Sequence, residues 1–355
     1  MTMKGEDSPV EKLNFASDYT ECAHPLILQR LMETNFEKNT GYSSDKHCAS
    51  AKEKIRTACN CPDAEIHFLV GGTQTNAMVI KYLLSPYQGV IAPATGHISL
   101  HESGAIEHGG HKVLCLPEYN GKLKAQDVEK LVKDFQNDGN KDMMVMPGMV
   151  YISQPTESGT LYSLAEMEEI ARICRENDLY FYVDGARLAY ALGCPENDVT
   201  LSDLARLCDC FYIGGTKCGA MIGEAVVFPK PGLIPHFYTL TKQHGAMLAK
   251  GWVLGVQFDV LFTDGMYEKI GKDAIVFADK IRQKVTEKGW KLRYGSPSNQ
   301  VFVELTDEDY AKVQEKVIVS FWEKADENHT VIRFATSWAT TQADMDKLLT
   351  AFEEI

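Results

Sequence analysis

Tyr180–Leu188, with the sequence YFYVDGARL, is the stretch that decides the fold. Its aromatic and β-branched residues predict a buried strand, which ends at Asp184 before the chain turns at Gly185. In open α/β sheets, ligands bind beyond the carboxyl ends of the strands. Asp184 is therefore expected at a ligand-binding edge, although an isolated Asp-Gly pair is more often only a turn or a helix cap.

The next predicted strand strengthens this interpretation. It reads CFYIGG at residues 210–215 and leads into a glycine-rich turn, GGTKCGA, that contains Lys217. Burial lowers the pKa of an ammonium group, and the neutral amine can attack an aldehyde. A carboxylate beside a pyridine nitrogen keeps that nitrogen protonated. Lys217 and Asp184 together therefore predict a pyridoxal phosphate (PLP) site in which both act as catalytic residues.

A phosphate site is predicted from residues 67–83, HFLVGGTQTNAMVIKYL. This segment reads as a strand, a Gly-Gly turn and a helix that begins near Thr73. Backbone N–H groups at a helix N-terminus, together with the Thr73 hydroxyl, can hold a phosphate. The GxxxxGK[ST] pattern is missing, so nucleoside triphosphate binding has little support. The predicted cofactor-binding residues here are Gly72, Thr73 and Gln74, with Thr216 beside the lysine.

The pattern around these motifs predicts an α/β fold, in which a mostly parallel seven-stranded sheet forms the middle of a three-layer αβα domain. The predicted strands are Glu65–Val70, Gly89–Ala92, Lys112–Leu116, Met143–Ile152, Leu179–Val183, Cys210–Ile213 and Glu224–Phe228. Leu164–Glu176 has helical periodicity. A large PLP-binding domain is expected over residues 23–245, and a small α+β domain over residues 1–22 and 246–355.

The C-terminal part differs in character from the segment before it. Prolines interrupt the chain after Phe228, and long helical patterns follow from about His244 to Lys288. The remaining chain predicts, in order, a strand at Val301–Leu305, a helix at Asp307–Lys324, a strand at Val331–Ala335 and a helix at Thr341–Glu353. This alternation is the basis for the small α+β domain.

Composition restricts the possible functions. The chain has 36 Lys and Arg residues against 49 Asp and Glu residues, and the net charge of −13 disfavours binding to nucleic acid or anionic membranes. No stretch has the roughly 18–20 apolar residues of a membrane span, and the first residues lack the apolar core of a secretory signal. The ten cysteines do not have zinc-site spacing. We therefore expect reduced thiols in a cytoplasmic protein.

These motifs resemble the threonine aldolase and aromatic amino acid β-eliminating lyase branch of the fold type I, aspartate-aminotransferase-like PLP enzymes. The resemblance covers nearly the whole chain and rests on the segments FASDYT, GGTQTN, GHISLHESGA, YVDGARL, GGTKCGA and IRFATSW. It implies a sheet whose one antiparallel strand directly follows the lysine turn. It also implies a homodimer or homotetramer with the active site at a subunit boundary, and an amino acid as the small-molecule substrate.

The resemblance assigns further roles. His97 is expected to stack on the cofactor ring and to help deprotonate or orient the substrate hydroxyl, and Arg187 to contact the cofactor phenolic oxygen or the substrate carboxylate. Arg333 would hold that carboxylate as a bidentate fork. The alternatives are an ion pair at the helix start for Arg187 and a solvated strand end for Arg333. The expected substrate-binding residues are Ser17, Tyr42, Glu102, Arg187 and Arg333.

A metal site is the alternative for the histidine-rich segment. His97 and His101 are four residues apart and would share one face of a helix, and Glu102 could add a carboxylate. However, Gly104 and the pair Gly109–Gly110 interrupt the segment. The resemblance also places only His97 at the cofactor, so no metal is predicted.

One segment departs from the resemblance. Threonine aldolases typically have a Glu-Asn-Thr-His type segment before the aspartate strand, whereas Ser153–Thr160 contains no histidine to handle the β-hydroxyl group. We nevertheless predict a PLP-dependent carbon–carbon lyase that cleaves β-hydroxy-α-amino acids to glycine and an aldehyde. The alternatives are a β-eliminating lyase or aminotransferase on the same fold, and a non-catalytic or metal-binding α/β protein.

Overall fold

A computed structural model describes residues 12–355. The strands are β1 (Leu13–Asn14), β2 (Glu65–Leu69), β3 (Gln88–Pro93), β4 (Val113–Leu116), β5 (Met146–Ser153), β6 (Tyr180–Asp184), β7 (Cys210–Gly214), β8 (Glu224–Phe228), β9 (Lys291–Leu292), β10 (Gln300–Thr306), β11 (Val317–Ile318), β12 (Ser320–Lys324) and β13 (His329–Ala335). The α-helices are α1 (Pro25–Thr34), α2 (Lys46–Ala58), α3 (Gly72–Leu83), α4 (His97–Leu100), α5 (Ala105–His108), α6 (Ala125–Asn137), α7 (Leu164–Glu176), α8 (Leu188–Gly193), α9 (Leu201–Leu207), α10 (Phe237–Gln243), α11 (Trp252–Leu261), α12 (Met266–Glu287), α13 (Asp307–Lys316) and α14 (Gln342–Glu353).

The central sheet has seven strands in the order β2-β8-β7-β6-β5-β3-β4. Strand β8 is antiparallel to its neighbours β2 and β7, and the other neighbouring pairs are parallel. The seven predicted strands and the single antiparallel strand after the lysine turn are therefore confirmed. The strand expected from Met143 begins only at Met146, because a 3₁₀ turn at Lys141–Met143 precedes it.

Helices cover both faces of this sheet. In β6, Phe181 and Val183 belong to the core formed with α2, α7 and α11, whereas Tyr182 belongs to the core formed with α3 and α10. Successive side chains of a strand point to opposite faces, so a strand buried on both faces has an uninterrupted apolar sequence. The predicted three-layer αβα domain is confirmed. No helix in residues 12–355 combines the length and the apolar character needed to cross a bilayer.

The small domain contains the antiparallel sheet β12-β13-β10-β9 and helices α13 and α14. The helix predicted to reach Lys324 is wrong beyond Lys316, because the β-branched and aromatic residues of Val317–Lys324 form strands β11 and β12. Helix α12 contributes side chains to the cores of both domains. The boundaries expected at residues 22 and 245 stay a prediction, and residues 1–11 lie outside the described part.

Two glycines bring the aspartate and lysine turns together. A Cβ atom on Gly185 would lie 2.0 Å from the backbone oxygen of Tyr212, and one on Gly214 would lie 2.3 Å from that of Ala186. Only residues without a side chain allow this approach. The ends of β6 and β7 therefore pack directly against each other, and Asp184 and the Lys217 turn lie at the same edge of the sheet.

Candidate active site

Two adjoining cavities lie at this edge. The Asp184 cavity has a volume of about 250 Å³, and Asp184, Lys217 and the start of α3 line it. The Arg333 cavity, of about 360 Å³, is lined by Arg333 and side chains of the small domain. The side chains that line both cavities are Tyr19, His97, Glu157, Arg187 and Lys217. Together they form a site between the sheet edge and the small domain, of the size that binds small molecules.

Asp184 supplies a fixed negative charge. The Tyr151 hydroxyl and the Asn76 amide donate hydrogen bonds of 2.6 and 3.0 Å to its Oδ2 atom, and the Ala186 N–H donates one of 2.9 Å to Oδ1. Burial alone would raise the pKa of Asp184, but the charge of His97 and these donors hold it below its ordinary value. The carboxylate is therefore ionised and suited to face a protonated ring nitrogen.

Lys217 supplies a buried amine. Burial and then the charge of Arg187 lower the pKa of Lys217 from its ordinary value. Among residues 12–355, its Nζ atom has no hydrogen-bond or ion-pair partner and lies 5.9 Å from the centre of the Tyr19 ring. The turn that carries it is held by a 3.0 Å hydrogen bond from the Gly223 N–H to the Thr216 hydroxyl. The turn thus fixes the position of the Lys217 amine, and no hydrogen bond or ion pair within residues 12–355 occupies the amine that would act as a nucleophile.

His97 is held from behind by a buried carboxylate. Its Nδ1 atom lies 2.8 Å from Oε1 of Glu102, and the Asn76 amide donates a 2.7 Å hydrogen bond to the same oxygen. This contact leaves Nε2 as the free nitrogen of a ring that lines both cavities. Glu102 was predicted to contact substrate, but it lies behind His97 rather than on a cavity wall. Its contact orients the ring.

Arg187 forms a bidentate ion pair that sequence reasoning did not find. Its Nε and Nη2 atoms donate hydrogen bonds of 2.7 and 3.0 Å to the two carboxylate oxygens of Asp18. Burial alone would raise the pKa of Asp18, but the charges of Arg187 and Lys217 lower it to about 2. The pair fixes Arg187 on the wall of both cavities and ties the N-terminal segment to the turn after β6.

A model of the β-eliminating lyase family matches residues 14–315 of the chain. The chain belongs to this family. A low specificity L-threonine aldolase of Pseudomonas sp. (strain NCIMB 10558) is 28% identical over 346 residues, which cover 94% of this chain and 95% of that protein. A solved structure of Leishmania major threonine aldolase is 40% identical, with a TM-score of 0.93, and the match covers 96% of this chain and 98% of that one.

The predicted family and fold class are thereby confirmed. A single mutant of Thermus thermophilus aspartate aminotransferase also matches, with a TM-score of 0.72 over 97% of this chain and 92% of that one. At 15% identity this match shows the shared fold alone.

The enzyme is PLP-dependent, and its residues fit the cofactor. Helix α3 has 12 residues, begins at Gly72 and presents its N-terminus to the Asp184 cavity beside Thr73. A Cβ atom on Gly71 would meet nothing within 4 Å, and one on Gly72 would lie 2.9 Å from the Tyr212 hydroxyl. The helix N-terminus can hold a phosphate. The cavity thus combines an anion site, an amine and a carboxylate.

Arg333 lies on β13, and its guanidinium group already donates hydrogen bonds within the protein. Nη1 donates a 2.8 Å hydrogen bond to Gln300 and Nη2 one of 3.0 Å to the backbone oxygen of Ala16, while Nε has no partner among residues 12–355. Burial and the charge of Arg187 lower the pKa of Arg333 to about 10, so it stays charged near neutral pH. Arg333 therefore presents to the Arg333 cavity a positive charge whose position is fixed by these hydrogen bonds.

Besides Glu102, three more predicted binding residues line neither cavity. The Ser17 hydroxyl is buried without a hydrogen-bond partner among residues 12–355. Gln74 accepts a hydrogen bond from the Val70 N–H, and Tyr42 packs under the Lys242 ammonium group, 4.4 Å from its ring centre. Their roles stay predictions.

Sequence reasoning also missed residues that the structure brings to the site. Glu224 lines the Asp184 cavity and accepts a 2.8 Å hydrogen bond from the Gly215 N–H, and burial raises its pKa to about 7. Tyr19 and Glu157 line both cavities. Tyr19 and Asp18 belong to the quoted FASDYT motif, which was the available signal for them.

The histidine-rich segment is not assembled as a metal site. The His97 and His101 rings are 5.6 Å apart, and α4 ends at Leu100. Within residues 12–355, no three His, Cys, Asp or Glu side chains are arranged to hold a metal ion.

Proposed function

We propose that the enzyme cleaves β-hydroxy-α-amino acids to glycine and an aldehyde. The observation that carries this proposal is the convergence of Lys217 and Asp184 on one cavity that adjoins Arg333. The names of the Pseudomonas and Leishmania relatives support this substrate class. Lys217 would bind PLP covalently, and Asp184 would face the ring nitrogen. When bound, PLP supplies an electron-withdrawing ring that takes up the electron pair left on the substrate Cα.

The phosphate end of the cofactor would lie at the start of α3. Gly72 and Thr73 would donate to the phosphate, with Thr216 also lining the Asp184 cavity and Gln74 in the first turn of the helix. His97 would lie against the cofactor ring. Its free Nε2 atom would also be near the substrate hydroxyl group.

Arg333 would hold the substrate carboxylate. The bond that breaks at Cα is the one perpendicular to the cofactor ring, because it overlaps best with the π system. A fixed carboxylate therefore decides which bond is perpendicular. Arg187, which is already paired with Asp18, would form the second positive wall of this subsite, with Ser17 and Tyr42 as the remaining proposed substrate residues.

Arg333→Lys is expected to raise the KM for threonine about 10- to 100-fold. A lysine cannot form the bidentate contact, and a lost charge-assisted hydrogen bond costs about 1.5–3 kcal/mol. PLP absorbance should be retained, because Arg333 does not line the Asp184 cavity. Steady-state kinetics with unchanged KM would argue against carboxylate binding by Arg333.

A product assay tests the proposed function. The purified holoenzyme is incubated with threonine or phenylserine, and aldehyde and glycine are measured. Equal amounts of aldehyde and glycine are expected. Pyruvate or another keto acid released with ammonia would instead indicate β-elimination, and dependence on an added keto acid would indicate transamination.

We also propose a cytoplasmic homodimer or homotetramer. The ten cysteines are all unpaired, which is usual in a reducing compartment. Met32 and Phe36 are 77% and 93% exposed, and such apolar side chains are commonly covered by another subunit. Light scattering of the holoenzyme is expected to give at least twice the monomer mass.

A further inference from the structure

The wall shared by the two cavities contains few groups that can accept a proton. Lys217 and Arg187 are cationic or nucleophilic, and Tyr19 is more than half exposed, which leaves His97 and Glu157. We propose that Glu157 binds the β-hydroxyl group of the substrate and takes its proton during cleavage. This inference rests on the proposed function and assigns its base.

The contacts of Glu157 leave one oxygen for a ligand. Its Oε1 atom accepts a 2.9 Å hydrogen bond from the backbone N–H of His97 and a 2.7 Å hydrogen bond from the Ser153 hydroxyl. Its Oε2 atom is buried and has no partner among residues 12–355. A buried carboxylate oxygen without a donor is costly, and a substrate hydroxyl would supply that donor. Oε1 is thus the anchored oxygen and Oε2 the available one.

The position of Glu157 in the chain supports the same role. It lies in Ser153–Thr160, the segment in which the resemblance led us to expect a histidine for the β-hydroxyl group. The structure places a carboxylate from this segment on the shared wall, to which His97 and Lys217 also belong. Burial, followed by the charge of Asp184, raises the pKa of Glu157, which makes the ionised form a stronger base.

The proposed step is a proton transfer coupled to bond cleavage. Oε2 of Glu157 takes the proton of the β-hydroxyl group, and the electron pair of that O–H bond becomes the second C–O bond of the aldehyde. The Cα–Cβ bond breaks, and its electron pair stays on Cα. A proton then added to Cα completes glycine, so the proton lost from the hydroxyl group is balanced.

Glu157→Gln in the holoenzyme tests this assignment. The glutamine side-chain oxygen can still accept hydrogen bonds from the backbone N–H of His97 and from the Ser153 hydroxyl, so the fold should be kept. We expect aldehyde formation from threonine to fall at least about 100-fold in kcat, as for the loss of a general base. In D₂O, exchange of the glycine Cα proton needs no β-hydroxyl chemistry. It should change less than about threefold, with an unchanged spectral Kd for glycine.

A second variant separates a chemical role from a structural one. Glu157→His restores a proton acceptor and should recover at least about a tenth of the lost kcat, which a purely structural role would not allow. Equal losses of glycine exchange and aldehyde formation in Glu157→Gln, or retained aldehyde formation, would overturn the assignment. If the unmodified enzyme exchanges the glycine proton but forms no aldehyde, the proposed function itself fails, and the assignment fails with it.

Discussion

Replacing Lys217 with alanine is expected to abolish covalent PLP attachment and to lower aldehyde formation by about 1,000-fold or more. The change removes an amine that can act both as the nucleophile and as an acid–base group, and general acid–base catalysis alone contributes about 10²–10⁴-fold. The fold should persist, because the Lys217 Nζ atom has no hydrogen-bond or ion-pair partner among residues 12–355. Removing an uncompensated buried amine leaves no partner unsatisfied.

Lys217→Arg is the matched control for this variant. It keeps a cation in the turn, but a guanidinium group does not deprotonate and so cannot act as a nucleophile. Borohydride reduction followed by peptide mass analysis should find PLP on Lys217 in the unmodified enzyme only. Attachment to a different lysine, or near-normal activity in Lys217→Ala, would contradict the site.

Local sequence patterns were sufficient for the sheet and for the centre of the site. Buried strands have uninterrupted apolar sequences, so β5, β6 and β7 could be located within a few residues. The polar residues at the end of β6 and just after β7 then had to meet at one edge, because parallel strands end on the same side. Asp184 and Lys217 were predictable for that reason, and the structure places them on one cavity.

The rest of the candidate active site depends on contacts between segments that are far apart in the sequence. Asp18 pairs with Arg187 across 169 residues, and Asn76 links Glu102 to Asp184, which lie 26 and 108 residues away from it. No periodicity encodes such pairs. The error at Val317–Lys324 is partly of this kind, because its β-branched and aromatic residues favour strands and the pairing with β1 and β13 is made with distant segments.

Asp184→Asn is expected to lower kcat at least about 100-fold while PLP remains covalently bound. The change removes the negative charge that keeps the ring nitrogen protonated, and a fixed charge in a buried site is worth about this much. It also costs stability. The carboxylate accepts from Tyr151 and Asn76 at Oδ2 and from the Ala186 N–H at Oδ1, whereas an amide accepts at one atom only. One donor therefore loses its partner, at about 1–3 kcal/mol.

Tyr151→Phe separates the charge of Asp184 from its hydrogen bonds. This variant removes one 2.6 Å donor to Oδ2 but leaves the carboxylate ionised, and the Asn76 donor remains. We therefore expect a comparable loss of stability on thermal unfolding but a fall in kcat of only about tenfold or less. If Tyr151→Phe and Asp184→Asn lower kcat equally, the hydrogen bonds to residue 184 rather than its charge control the reaction. A large effect confined to Asp184→Asn requires the carboxylate to act on the cofactor electronically, because the two variants disturb the same hydrogen-bond network.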